Sequence, residues 1–305
     1  MGSNPTAQSM NSGMEDSGSK AGEKPDLMKV DKFIASLMDD LRHNRLELPT
    51  LPQVAARIHK VVENPSSRAK DIAQAVGSDM ALSARIIHVA NSPIMRSAHE
   101  IDNVQSAITR MGNNMVRNII TSFLVKQLFR TNQKSLQDRM ANIWNHSARV
   151  AAISHVLATR YTDFQADEVM LTGLLHDIGK LPILAKACTI PSLQNKENEK
   201  ALDMVIERLH PALGKAILEA WKFPTHIVNA AAEHEVTNRN SQSMDYTDIV
   251  IVANLHSYIG KPNAKKVDWK NIPAMQKLKL DPDMSIGVLE EAREEILEIQ
   301  RVLSI

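Results

Sequence analysis

From Phe33 to Leu303 apolar residues recur three and four positions apart in one stripe after another, and that spacing restricts the chain to packed helices. Phe33, Leu37, Met38 and Leu41 make one stripe. Val54, Ile58, Val61 and Val62 make another, entered through Leu48-Pro49-Thr50-Leu51-Pro52. Ile72, Ala75 and Val76 follow on a helix that Ser67 can cap, then Leu82, Ile86 and Val89 up to Asn91-Ser92-Pro93. Val104, Ile108 and Met111 lead to Gly112, a natural stop, before Val116 to Phe129. Composition agrees: aromatic residues are 4% of the chain while small and unbranched apolar residues, including 15 Met, abound, and strands draw more on Tyr, Phe and Trp. No internal repeat and no strand pattern stands out. The expected fold is all-α, a multi-helix bundle of short helices and short links.

Residues 1–28 are rich in Ser, Gly, Asn, Lys and Glu without periodicity and read as a disordered tail. An N-terminal helical subdomain is expected over 29–133, with the polar run Thr131 to Arg139 as a soft boundary. A second helical domain should occupy 134–262, with helices over Ile143 to Tyr161, Ala166 to Leu184, Pro211 to Trp221, Thr225 to Glu233 and Thr247 to Ile259. Gly260-Lys261-Pro262 should end the last of these. Over 263–305 the pattern predicts a loop from Val267 to Pro282 and one amphipathic helix from Ser285 to Leu303.

The net charge of +1 gives no general reason to expect nucleic acid or an acidic membrane surface. Between Leu41 and Arg130 there are 12 Lys/Arg against 6 Asp/Glu, an excess that reads as a solvated face. The run from Asp71 to Leu82, with Gly77 at its turn, fits a helix-turn-helix, but the helix after it offers Arg85 and little else for reading bases. A packing hairpin is the expected reading, and nucleic acid is not an expected partner. The single Cys188 rules out an internal disulfide framework and suits a reducing compartment. No apolar run reaches a membrane span, and the N-terminus lacks the apolar core of a signal peptide, so a cytoplasmic protein is expected.

The sharpest local feature is Leu174-Leu175-His176-Asp177-Ile178-Gly179-Lys180. Leu171, Leu174, Ile178 and Leu181 trace a helical stripe that puts Asp177 against the buried face. A carboxylate there is costly unless it is paired, hydrogen-bonded or on a metal. His176, one residue away, can reach the same cation. His146 falls three residues after Ile143 and four before Val150, on an inner face, where a lone histidine is more often a satisfied core residue than a ligand. His210 precedes Pro211 at an expected helix start, and His234 closes the helix from Thr225; singly, each reads as a helix-terminus residue.

Taken together, His-Ser-Ala-Arg (146–149), Leu-Leu-His-Asp-Ile-Gly-Lys (174–180), His-Pro-Ala-Leu-Gly (210–214) and Glu-His-Glu (233–235) resemble, in order, the metal-dependent HD phosphohydrolase superfamily. The resemblance implies that His146, His176 and Asp177 match the common metal positions and His210 and His234 the additional ones, with Arg149 and Lys180 lining the site. It also implies a divalent ion such as Mn, Fe, Mg or Ni. Two departures stand out. The last family carboxylate should fall in Val252-Ala253-Asn254-Leu255, where this chain has Asn254, a poorer ligand for a hard cation. After Glu235 comes Val-Thr-Asn-Arg, without the Gly-Tyr-Pro of cyclic di-GMP phosphodiesterases. Leu48 to Pro52, Asp79 to Arg85, Val89 to Ser92 and Ala107 to Gly112 are similar to the HDOD family, in which an HD-like domain follows a packed N-terminal helical subdomain.

Three readings follow from this resemblance. The first is a bacterial signalling protein with a degenerate HD site, acting by binding a nucleotide ligand or a signalling protein. The second is a metal-dependent phosphohydrolase using His146, His176 and Asp177. The third keeps the same residues as a hydrogen-bonded polar core. A homo-oligomer stays open.

Overall fold

The structure is a computed structural model that describes residues 27–43, 45, 49, 58, 60–62, 64, 66–95, 99–190, 198–259 and 268–304. Every regular element among them is helical. Most of the expected disordered tail lies outside the described residues, but Leu27 and Met28 already belong to α1 (Leu27–Arg42). Of the Leu48–Pro52 entry motif only Pro49 is described; its carbonyl accepts from the Trp221 indole N–H at 3.1 Å. Gly260-Lys261-Pro262 also lies outside them.

The first half is built from α2 (Ala69–Gly77), α3 (Met80–Ala90), a 3₁₀ turn (Pro93–Met95) and α4 (Val104–Leu128). Asp79 and Asn103 start α3 and α4 by accepting from the N–H groups of Leu82 and Ser106 at 2.9 and 2.8 Å. The residue before α2 is Arg68 rather than Ser67, its own N–H held by the Asp71 carboxylate at 2.9 Å. At Gly112 φ is 78° and ψ 159°, a conformation open in practice only to glycine, so α4 kinks there. Ile72, Val76, Leu82, Ile86, Ile108, Ile119 and Ile120 close one core. Arg85 is buried too, its guanidinium lying over the Phe123 ring and donating to the Val302 carbonyl, so it is not offered to an outside partner.

The second half contains α5 (Lys134–Tyr161), α6 (Ala166–Leu175), α7 (Lys180–Ala187), α8 (Glu199–Ala220), α9 (Thr225–Glu233) and α10 (Tyr246–Ser257). The polar run at 131–139 is not a linker throughout, since α5 begins at Lys134 and carries Leu136 and Met140 into the core. α1 packs on this half: Phe33 and Leu37 share a core with Leu174, Leu209 and Leu213. Val125 and Phe129 from the end of α4 enter the same core, which joins the two halves through apolar contact.

Three helix boundaries differ from the sequence expectation. The expected helix from Ala166 to Leu184 is two helices, broken by a turn at 176–179. His210 is not at a helix start but in the middle of α8, with Pro211 inside the helix and one backbone hydrogen bond given up there. The stretch 267–282 holds a 3₁₀ turn (Trp269–Asn271) and the short α11 (Pro273–Lys277), and the final amphipathic segment is split into α12 (Pro282–Glu291) and α13 (Arg293–Ser304). α13 reaches both halves, Ile299 and Leu303 packing into the second core and Val302 into the first. No helix of the described residues is long and apolar enough to cross a membrane.

Candidate metal centre

The break between α6 and α7 has a cause in packing. A Cβ on Gly179 would lie 2.0 Å from the His210 carbonyl and 2.4 Å from the Gly214 nitrogen, so only glycine lets this turn press against the middle of α8. That contact brings His176 and Asp177, at the tip of the turn, against His210 on α8 and His234 just after α9. His146, on α5, completes the group.

Asp177 is the centre. Its Oδ2 lies 3.5 Å from His146 Nε2 and 3.3 Å from His176 Nε2. Its Oδ1 lies 3.4 Å from His210 Nε2 and 3.5 Å from His234 Nε2. The His210 and His234 Nε2 atoms are 3.1 Å apart. One carboxylate thus carries two imidazoles on each oxygen, giving two triads, His146/His176/Asp177 and Asp177/His210/His234, whose donor atoms lie within 4.8 Å of one another.

The far side of each ring decides what the near side can do. His176 Nδ1 meets the Gly173 carbonyl at 2.7 Å and His210 Nδ1 the Ile206 carbonyl at 2.7 Å. His234 Nδ1 meets the Ala230 and Ala231 carbonyls at 3.2 and 3.1 Å. A carbonyl only accepts, so Nδ1 carries a proton in all three, and in the neutral ring Nε2 then presents a lone pair. For His146 the partner is Ser257 Oγ at 3.3 Å. That hydroxyl already donates to the Asn254 carbonyl at 2.7 Å, so it accepts from His146, and the same tautomer follows. Four imidazole lone pairs therefore face a carboxylate that also has only lone pairs to offer.

Such an arrangement repels itself unless a cation sits within it. His176 Nε2 and Asp177 Oδ1 are buried and make no hydrogen bond among the described residues. Ligands about 2.1 Å from an octahedral ion stand about 3 Å apart, close to the spacings here. Nitrogen and oxygen donors with locked tautomers are also what a divalent transition metal takes. The residues fit the ion.

Ionisation points the same way. Burial alone would raise the Asp177 carboxyl, but His176, whenever it is protonated, and Lys180 outweigh it and hold the group well below the carboxylate range. Burial pushes His210 down to about 4, partly opposed by Asp177, and pushes His234 down as well. An ionised aspartate among neutral histidines is the state a metal requires. Lys180 donates to the carboxylate, its Nζ meeting Oδ2 at 2.5 Å.

Above the cluster opens a cleft of about 940 Å³, whose lining includes His146, Arg149, Lys180, His210, Glu235 and Tyr258. Lys180 and Arg149, expected from the motifs, line it. Asn254 acts at one remove: its carbonyl holds Ser257, while its buried carboxamide Oδ1 makes no hydrogen bond among the described residues. Sequence reasoning missed Ser257 and also Tyr258, whose ring lies 4.9 Å from that of His146 and whose phenol burial pushes up. It also missed Arg239. This residue ties Glu233 (2.5 Å) to Asp245 (2.5 Å) and Asp248 (3.2 Å), fixing the segment that follows His234. The contacts of Ser257 and Tyr258 reach far along the chain to His146, and those of Arg239 close around a turn.

A profile of the HDOD domain matches residues 48–237. Over 90% of its length the chain is similar, at 27% identity and a TM-score of 0.78, to 99% of a crystal structure from Shewanella amazonensis SB2B named "Putative metal-dependent phosphohydrolase". Over 91% it shares the fold of an HDOD domain protein of unknown function from Geobacter sulfurreducens, at 21% identity and a TM-score of 0.64, covering 98% of that chain. A structure from Marinobacter aquaeolei VT8 named "Putative signal transduction protein" gives 19% identity and a TM-score of 0.62, over 92% of this chain and 68% of that one. An uncharacterized protein of Treponema pallidum (strain Nichols) is 24% identical over 213 residues, 67% of this chain; the match spans 40% of that relative's length.

Proposed function

Because the chain belongs to the HDOD family, we propose that it is a bacterial signalling protein that holds a divalent cation in its His/Asp cluster and binds a nucleotide-class ligand or a protein partner over it, with little turnover. The observation that supports the cation is the set of lone pairs converging on both oxygens of Asp177. His146, His176, Asp177, His210 and His234 would hold it. A manganese, iron, magnesium or nickel ion there would supply Lewis acidity toward a phosphoryl oxygen.

The chain's own groups do the rest. Carbonyls at Gly173, Ile206 and Ala230, with Ser257, keep the four rings turned inward. Arg149 offers positive charge to an anion entering the cleft. Two features argue against efficient hydrolysis. Asn254 stands where the family pattern has an acid, so the cluster holds one carboxylate where hydrolysis would call for two. Lys180 spends its charge on the remaining one.

The second reading, a phosphohydrolase, is favoured by one observation: two triads sharing Asp177 have the layout of a two-ion site. Elemental analysis and Mn²⁺ calorimetry, followed by an assay on bis(p-nitrophenyl) phosphate, separate the readings. Expected are Mn²⁺ binding that disappears in His176→Ala and hydrolysis near background. Tight stoichiometric metal with robust hydrolysis gives the protein to the second reading. Absence of any metal binding leaves only a hydrogen-bonded polar core.

A further inference from the structure

At the other end of α6, about 15 Å along its axis from the turn that carries Asp177, lies a second and smaller cavity of about 210 Å³. Its walls come from both halves of the molecule. α4 of the first half contributes Asn114, Arg117 and Asn118, and the first turn of α6 contributes Asp167 and Glu168. Leu171 and Ile227, with Phe223 and Pro224 from the turn before α9, give it an apolar floor.

Asn118 is 7% exposed, yet its carboxamide makes no hydrogen bond among the described residues. Its amide atoms line the cavity and are not sealed from solvent, so a molecule entering the cavity can partner them. Asn114, one helical turn earlier, adds a second carboxamide to the same wall, and Arg117 brings a guanidinium. On the facing wall Glu168 is already engaged, receiving the Tyr246 hydroxyl at 3.0 Å and standing 3.0 Å from His226 Nε2. Asp167 has only a longer contact, 3.6 Å to His155 Nε2, and is the carboxylate with capacity for a ligand.

The cavity therefore sets amides and a cation against an anion across an apolar floor. We infer that it binds a small zwitterion with a compact apolar body, an α-amino acid being the simplest. The ligand carboxylate would face Arg117 and Asn118, its ammonium Asp167, and its side chain Leu171 and Phe223. A cavity of this size suits such a molecule and is far smaller than the cleft over the metal cluster, which sets the two sites apart in the ligands they suit. Since its walls belong to both halves, occupancy would bridge them.

The test is calorimetry on the full chain with L-leucine, and with 4-methylpentanoate and isopentylamine, which lack its ammonium and its carboxylate respectively. Saturable one-site binding of L-leucine is expected, with each truncated probe weaker by about tenfold or more, as loss of a charge-assisted contact implies. Asn118→Leu and Asp167→Asn should each weaken L-leucine by a similar factor, whereas His176→Ala should not. Circular dichroism melts check that the variants fold, and Asp167→Asn, at a partly exposed position, carries the test should Asn118→Leu not fold. Absence of L-leucine binding overturns the inference, as do equal affinities for the truncated probes, binding unchanged by Asp167→Asn, or saturation by adenine in place of L-leucine.

Discussion

Asp177 and Asp248 are both shielded completely from solvent, but their carboxylates meet different company. Asp248 is answered by the chain itself: Lys277 reaches both its oxygens at 3.0 and 3.1 Å, Arg239 and Ser241 approach at 3.2 Å, and the Asp245 N–H at 3.1 Å closes a capping box at the start of α10. Asp177 receives one lysine and is otherwise faced by imidazole lone pairs. The first carboxylate is finished by folding, and the second is laid out for something that arrives afterwards. Burial alone does not distinguish a structural acid from a functional one; the direction of the protons around it does.

The widest separation between the two should come from replacing each by its amide. Asp177→Asn should weaken Mn²⁺ by about a hundredfold or more, since it removes the ligand shared by both triads, while metal-free stability holds or rises as an amide N–H meets the imidazoles. Titration calorimetry beside urea unfolding reads both quantities, and a large loss of metal-free stability would break the contrast. Asp248→Asn should do the reverse. It leaves Arg239 and Lys277 under-compensated and should cost about 3 kcal/mol of unfolding free energy, discounted because both cations keep some solvent contact, with a far smaller change in metal affinity.

His256 extends the comparison to a buried base. It is 2% exposed, lies 4.9 Å from the Trp269 ring, and has no hydrogen bond on either ring nitrogen among the described residues. Burial pushes it from 6.5 down to about 4. The unfolded chain therefore takes up a proton below about pH 6.5 that the native state refuses until about pH 4. Its stability is whole above that window and declines as the pH falls through it. Between pH 7 and pH 5 the loss should be about 2 kcal/mol in urea unfolding, and His256→Phe should remove that share of the pH dependence. The smallest effect is expected at Asn254. Asn254→Asp should tighten Mn²⁺ by about tenfold if this position faces the ion, and equal affinities in calorimetry would show that it acts only through Ser257.

The legible part of this molecule was the part governed by neighbours in sequence. The stripe Leu171, Leu174, Ile178, Leu181 placed Asp177 inward, and Gly112, read as a helix stop, fell at the point where α4 kinks instead of ending, because periodicity and backbone preference are local. The histidines that gather around Asp177 were recoverable only through motif order, since no local rule brings 146, 176, 210 and 234 together. What failed did so for a physical reason. The helix break at 176–179 depends on Gly179 meeting Gly214 across two helices, and Pro211 marked a helix start that the packing of α8 overrode. Ser257, Tyr258 and Arg239 matter through partners far away in sequence or around a turn, which periodicity does not record.

The contact between Arg85 and the Val302 carbonyl spans 217 residues. At about 5 to 20 residues per second of synthesis, roughly ten to forty seconds separate the appearance of the two groups. Through that interval the first half has its guanidinium but not the carbonyl that receives it, and Val302 is missing from a core that is otherwise made of residues already translated. The first half, made before the second, is thus completed after it, and its hold on the native state is set by α13, a helix on the far side of the second half.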